Sequence, residues 1–141
     1  MLRDAFDAPG ERSPAELRAA YDELLAGTIQ AVGVEAVAAE SSVETGRLEA
    51  LLDGEHPSLT LSEAAAVLGT DPELPDADAS EAEARDILLL GLSIAVLDVE
   101  ALASGIDDRM EPKEIQQKAE GRYPMDLDEY ALLHSYIEGR T

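Results

Sequence analysis

Apolar residues recur at helical spacing along most of this chain, and polar signals for a helix start precede several of these segments. Ser13, Pro14 and Glu16 form one such start, in which a capping box closes three residues after the cap. Thr60 and Glu63 form another. An amphipathic helix buries its apolar stripe against neighbouring helices. The pattern therefore predicts an all-α protein, a helical bundle of about eight helices.

The helical pattern divides into two similar halves, each resembling a helix-turn-helix unit. The stretch GVEAVAA at 33–39 matches DVEALAS at 98–104, and a later match places Gly121 on Gly54. Chance similarity between two helical segments of biased composition is the alternative to a duplication. Prolines and small polar residues interrupt the pattern between the halves. The predicted organisation is an N-terminal unit, a linker and a C-terminal degenerate repeat, at residues 1–68, 69–80 and 81–141.

Acidic residues outnumber basic ones throughout the chain. There are 31 Asp and Glu against 10 Lys and Arg, a formal net charge of -21. Disorder is one interpretation of this balance, but acids interleaved with apolar residues at helical spacing favour folded helices. A partner that carries positive charge is a second interpretation. We favour a third, adaptation to a salt-rich cytoplasm, where carboxylates keep the surface hydrated and salt screens their repulsion.

Composition also bears on the compartment. The chain has no Cys, which excludes a disulfide framework and thiolate metal sites. Asp4 and Asp7 interrupt the first residues, so the segment does not fit a signal peptide. The longest apolar run, residues 87–97, is shorter than the ~20 residues that span a bilayer. We expect a cytoplasmic protein without a membrane segment.

The apolar run ILLLGLSIAVL at 87–97 belongs to a helix that we expect Ser80 and Glu83 to cap. A helix that is apolar nearly all round is normally central to a bundle. We therefore favour packing of this helix between the two halves. The alternative is a homodimer through 87–97, in which one face of the helix contacts a second copy.

The stretch 37–51 resembles the helix-turn-helix of the lambda-repressor-like family, the Cro/repressor type. A small residue in the first helix, an apolar residue after the turn and two buried positions of the recognition helix match, at Ala38, Val43, Leu48 and Leu51. The family commonly has Gly where Ser42 stands, and Ser serves such a turn less easily than Gly if its φ is positive. With its acidity and scarce Lys, the chain is similar to small uncharacterised haloarchaeal proteins with a repressor-like fold.

The resemblance implies DNA binding, but the charge of the recognition helix opposes it. Readout needs Arg, Lys, Asn or Gln at base edges, and affinity needs cations on phosphates. Arg47 is the one basic residue of this helix, against Glu44 and Glu49. We therefore favour a non-enzymatic regulatory or protein-interaction module with an unknown protein partner; a sequence-specific DNA-binding transcriptional regulator of a halophile is the alternative. The candidate contact residues are Thr45, Arg47, Lys113, Gln116, Gln117 and Lys118.

Neither histidine predicts a catalytic or metal site. His56 lies in an acidic loop, and no second His or Cys stands at ligand spacing. His134 shares a helix face with Leu127 and Tyr130, so we expect it to pack in the core. No Gly-rich phosphate loop and no Ser-His-Asp arrangement is visible. The sequence thus predicts no enzyme, no metal and no cofactor.

Overall fold

A computed structural model describes residues 12–140 of the chain. Residues 1–11, which include the segment expected not to be a signal peptide, and residue 141 lie outside the described residues. Residues 12–140 form eight α-helices and no β-strand, which confirms the all-α prediction. The helices are α1 (Pro14–Val32), α2 (Val34–Ser41), α3 (Thr45–Leu52), α4 (Leu61–Leu68), α5 (Ala77–Ala95), α6 (Val99–Gly105), α7 (Pro112–Ala119) and α8 (Leu127–Glu138).

Two of the capping boxes predicted from the sequence, those of α1 and α4, are formed. The Ser13 hydroxyl accepts from the backbone N–H of Glu16 at 3.1 Å, and the Glu16 carboxylate accepts from the backbone N–H of Ser13 at 3.0 Å. Thr60 and Glu63 make the same two bonds at α4, at 3.1 and 3.0 Å. Each cap satisfies backbone donors that the helix itself leaves unpaired. Loss of such a cap costs about 1 kcal/mol.

The start of α5 differs from the prediction. The helix begins at Ala77, and its N-cap is Asp76, whose carboxylate accepts from the backbone N–H of Ala79 at 2.8 Å. Ser80 is buried inside the helix and does not cap it. Asp caps a helix as well as Ser does, and Asp76 comes earlier in the chain. The last four residues of the predicted linker, 77–80, are therefore helical.

The two halves of the chain pack closely on each other. The first helix of each half lies on the last helix of the other, α1 on α8 and α5 on α4. Within each half the second helix packs on the third, α2 on α3 and α6 on α7. All eight helices contribute to one hydrophobic core, which includes the fully buried rings of Tyr21 and Tyr130. Each half therefore completes its core with a helix from the other.

The segments that lead into α4 and α8 pair with each other. The backbone N–H of Leu61 donates to the Met125 carbonyl at 2.7 Å, and the N–H of Leu127 donates to the Leu59 carbonyl at 2.8 Å. Such a reciprocal contact is what an approximate twofold axis between the halves produces. The division of the chain into repeated units stays a prediction. The residues at the centre of this antiparallel bridge are the two N-caps, Thr60 and Asp126.

Candidate functional site

The candidate contact residue Arg47 is held against the protein's own surface. Its Nη1 donates to Glu63 Oε1 at 3.0 Å and to the Ser58 carbonyl at 3.1 Å, and its Nη2 donates to Glu63 Oε2 at 2.6 Å. This two-point pair ties α3 to the capping box of α4. The hydrogen bonds from Arg47 hold the pKa of Glu63 below its usual value. Arg47 can reach a base edge or a phosphate only if this pair breaks.

Lys118 is engaged in a similar way in the second half. Its Nζ donates to Glu114 Oε2 at 2.8 Å and to Glu129 Oε2 at 2.6 Å. Glu129 belongs to the capping box of α8, as Glu63 belongs to that of α4. The hydrogen bond from Lys118 lowers the pKa of Glu114. Both halves thus use a candidate cation to fix the start of the helix that follows.

The remaining candidate residues are open to solvent to different degrees. Thr45 on α3 and Lys113 and Gln116 on α7 are exposed, whereas Gln117 is half-buried. Gln117 lines a shallow depression on α7 together with Tyr123. Lys113 is the one cation among these four side chains. The candidates on α7 therefore form a small polar surface. On α3, Thr45 is the candidate that is exposed and not in an ion pair.

The turn between α2 and α3 has a left-handed residue at the position that the resemblance singles out. Ser42 has φ 62° and ψ 14°, a conformation that glycine adopts most readily. The connection between α6 and α7 is longer and contains two left-handed residues, Asp107 and Asp108, with φ 59° and 56°. The two connections therefore differ in length and in backbone path. The second half does not repeat the short turn of the first.

His56 belongs to a polar network that joins α1 to the loop before α4. Its Nδ1 lies 2.6 Å from Oδ2 of the buried Asp22, which also accepts two bonds from Arg18 Nε, at 3.0 and 3.1 Å. The guanidinium of Arg18 further donates to Asp128 Oδ1 at 2.9 Å and to the Pro57 carbonyl. Within residues 12–140 no group of three or more His, Asp and Glu could hold a metal ion. The contacts of this network fix the loop against α1.

His134 lies in the core, which confirms its predicted packing. Its Nδ1 is 2.6 Å from the Tyr21 hydroxyl, and its ring centroid is 5.4 Å from that of Tyr130. Burial raises the pKa of Tyr21, so that its hydroxyl stays protonated and can donate to the imidazole. The three rings fix the packing of α1 on α8.

The outward side of α5 exposes large apolar side chains, which we call the α5 apolar face. Ile87 and Leu88 are buried on the inward side, where α5 packs on α4 and α8. The helix α5 packs between α4 of the first half and α8 of the second, as the sequence predicts. In the described part of the chain, neighbouring helices leave the outward side of its apolar run uncovered. The α5 apolar face consists of Leu89, Leu90, Ile94 and the C-cap Val96, which are 41%, 52%, 60% and 89% exposed.

The α5 apolar face has no counterpart in α1. Both helices have 19 residues, and both bury their fourth, eighth, twelfth and fifteenth positions. The fourteenth and eighteenth positions are exposed in both helices. There α1 has Gly27 and Ala31, whereas α5 has Leu90 and Ile94. Since these four buried positions coincide while the exposed residues differ, burial of α5 does not depend on large apolar side chains at the exposed positions.

A sharp bend separates α5 from α6. Among the described residues no single helix is long and apolar enough to cross a membrane. Taken together, α5 and α6 are long and apolar enough to span a membrane, but the two helices are bent by 94° to each other.

Comparison with known proteins gives a family for the chain. Residues 17–140 match a family described as a family of unknown function, DUF5791. The match begins in α1 and runs beyond the end of α8, so it includes the α5 apolar face. No curated protein and no solved structure gives a significant match. Because the family match spans most of the sequence, the chain belongs to this family of unknown function.

Proposed function

We propose that this protein is a non-enzymatic regulatory module that acts by binding a protein through the α5 apolar face. The observation that carries the proposal is the exposure of Leu90 and Ile94 at positions where α1 has Gly27 and Ala31. Clustered large apolar side chains on a surface mark interaction sites, whereas scattered ones are ordinary. Tyr123 is such a scattered residue, since it lies on the loop after α7.

We further propose that the scaffold is helix-turn-helix-like and that the acidity is adaptation to a salt-rich cytoplasm. The left-handed Ser42 between α2 and α3 supports the first point, because the repressor-type turn commonly has Gly there. The distribution of charge supports the second point. Asp86 and Asp98 flank the run 87–97 in the sequence, and the run itself contains no acidic residue. An uncharged contact surface on a strongly charged chain suits a partner recognised by apolar packing in high salt.

A DNA-binding transcriptional regulator is the second candidate. Exposed Lys113 and Gln116 on α7 favour it, since both residue types read base edges. The ion pairs of Arg47 and Lys118 and the net charge of -21 oppose it. Its test is enrichment of fragmented genomic DNA by the protein in about 1 M KCl. Discrete sites that disappear with Lys113→Ala would establish the regulator in place of the interaction module.

Photo-crosslinking tests the protein-interaction proposal. A photoreactive phenylalanine analogue replaces Ile94 in one variant and Ala31 in the other. Both sites are exposed and occupy the eighteenth position of their helices, so the two variants are matched. After irradiation in the native cells, we expect a protein adduct from position 94 and none from position 31. Equal adducts from both positions, or none from either, would contradict the proposal.

A further inference from the structure

We infer that the partner of the α5 apolar face is a second copy of the same chain, packed α5 against α5 across a twofold axis. This inference rests on the proposed function and names its partner. An isologous dimer of this kind uses the same surface on both subunits. The contact is therefore formed by two α5 apolar faces that bury each other.

The chemistry of the face selects the partner. Residues 87–97 contain no charged side chain of either sign, and Asp86 and Asp98 stand at the two ends of this run. Phosphates of a nucleic acid and anionic lipid headgroups find no cationic side chain within the run to bind. A cationic surface finds no carboxylate within the run to pair with. The matching surface is thus an uncharged apolar strip, and the α5 apolar face is itself one.

The spacing of the exposed residues suits helix-on-helix packing. Leu90 and Ile94 are four residues apart, so they lie one above the other on the same side of α5. Ser93 is also exposed and lies beside Ile94. Its small side chain leaves room for the approach of a second helix. In an antiparallel pair of α5 helices centred between Leu90 and Ile94, Leu90 of each copy contacts Ile94 of the other.

The same geometry makes the dimer dependent on salt. An antiparallel pair with this centre brings Asp86 of each copy toward the C-terminal end of α5 in the other, and Asp98 follows that end in the chain. Two chains of net charge -21 also repel each other over the Debye length, which is about 10 Å at 0.1 M salt and about 3 Å at 1 M. Salt therefore strengthens this dimer. A contact between opposite charges would weaken under the same change.

Sedimentation velocity of the full chain tests the inference, at about 0.1 M and about 1 M KCl. The test variant is Leu90→Gln with Ile94→Gln. The control is Gly27→Gln with Ala31→Gln, which places the same side chains at the same exposed positions of α1. We expect the wild type and the control to dimerise more tightly in high salt. The test variant should raise the dimer Kd by about 100-fold or more, because two apolar contacts per copy are lost. Circular dichroism shows whether each variant is folded.

Each other outcome overturns the inference. A wild type that stays monomeric at both salt concentrations excludes the dimer, and so does a dimer that the test variant leaves intact or that weakens with salt. The adduct from position 94 then decides the proposed function separately. An adduct with a different protein keeps the interaction module and replaces the second copy as partner. Without a protein adduct, flotation of the wild type but not the test variant with phosphatidylglycerol vesicles would assign the face to a membrane surface.

Discussion

Arg47 and Glu63 form a two-point ion pair, with Nη1–Oε1 and Nη2–Oε2 distances of 3.0 and 2.6 Å. The same carboxylate accepts the backbone N–H of Thr60 at 3.0 Å in the capping box of α4. One side chain thus joins the helix cap to α3. Arg47, which the sequence analysis selected as a contact residue, is a structural residue in this geometry.

We expect Arg47→Ala to lower the free energy of unfolding by about 1 kcal/mol. The pair is partly exposed, which limits its strength, but its two-point geometry and its link to the helix cap place it at the upper end for surface pairs. Urea unfolding followed by circular dichroism measures the change. Lys113→Ala is the control, an exposed cation for which we expect a change within about 0.5 kcal/mol. Equal effects of the two substitutions would show that the pair contributes no stability.

The stabilising effect of this pair should disappear in acid. The pKa of Glu63 is lowered in the folded protein by Arg47, whereas it is about 4.3 in an unfolded chain. The contribution is therefore complete above about pH 4.3 and is lost as the pH falls through the folded-state value. Glu63→Gln removes the titration and retains a residue that can close the capping box.

The measured quantity is the difference in unfolding free energy between the wild type and Glu63→Gln. Other carboxylates lose their mutual repulsion in acid, so the wild-type curve alone mixes two effects. We expect the wild type to be more stable at neutral pH and the two proteins to converge at low pH. A difference that stays constant across the titration would mean that the charge of Glu63 is not its source.

Asp22→Asn should destabilise the protein by about 3 kcal/mol, because it removes the buried countercharge of Arg18. Asp128 is largely exposed and compensates only in part. His56→Asn is the comparison, and we expect it to cost less than about 1 kcal/mol because the His56 side chain is half-exposed. Thermal unfolding ranks the two variants. If both variants lost a similar amount of stability, the contact between His56 and Asp22 would be the main contribution of the network.

Two helix glycines should respond oppositely to alanine. A Cβ on Gly27 of α1 meets no atom within 4 Å, so Gly27→Ala should stabilise the protein by about 1 kcal/mol through helix propensity. A Cβ on Gly91 of α5 would lie 2.5 Å from Ile137 Cγ2 in the core. Gly91→Ala should therefore cost about 1–3 kcal/mol. Shifts in melting temperature of the same sign would contradict this packing of α5 on α8.

Local signals predicted most of the helices, and contacts distant in sequence were the part that could not be predicted. The box of Thr60 and Glu63 spans three residues and is visible in the sequence. The pair of Arg47 and Glu63 spans sixteen residues and depends on how α3 meets α4. The sequence therefore indicates Arg47 as a candidate contact residue but does not indicate its ion pair with Glu63. The start of α5 was placed too late because two capping residues, Asp76 and Ser80, stood close together.

The exposure of the α5 apolar face also could not be predicted from the sequence. Periodicity identified 87–97 as apolar nearly all round, but the number of helices that cover it is a property of the packing. Only the comparison of Leu90 and Ile94 with Gly27 and Ala31 separates the exposed side from the buried one. That comparison needs the helix register, which the sequence match between the halves did not give for α1 and α5.

Because α1 packs on α8 and α5 packs on α4, the segment 69–76 is a tether between two halves that share one core. If the chain were cut there, two fragments would have to meet in solution, and assembly would depend on their concentration. The tether instead keeps each half at an effective concentration in roughly the millimolar range. Because the two halves are joined in one chain, this core assembles in a unimolecular reaction. Because the chain holds the halves together, their exposed surfaces can differ, as they do at Gly27 of α1 and Leu90 of α5, without dissociation of the halves.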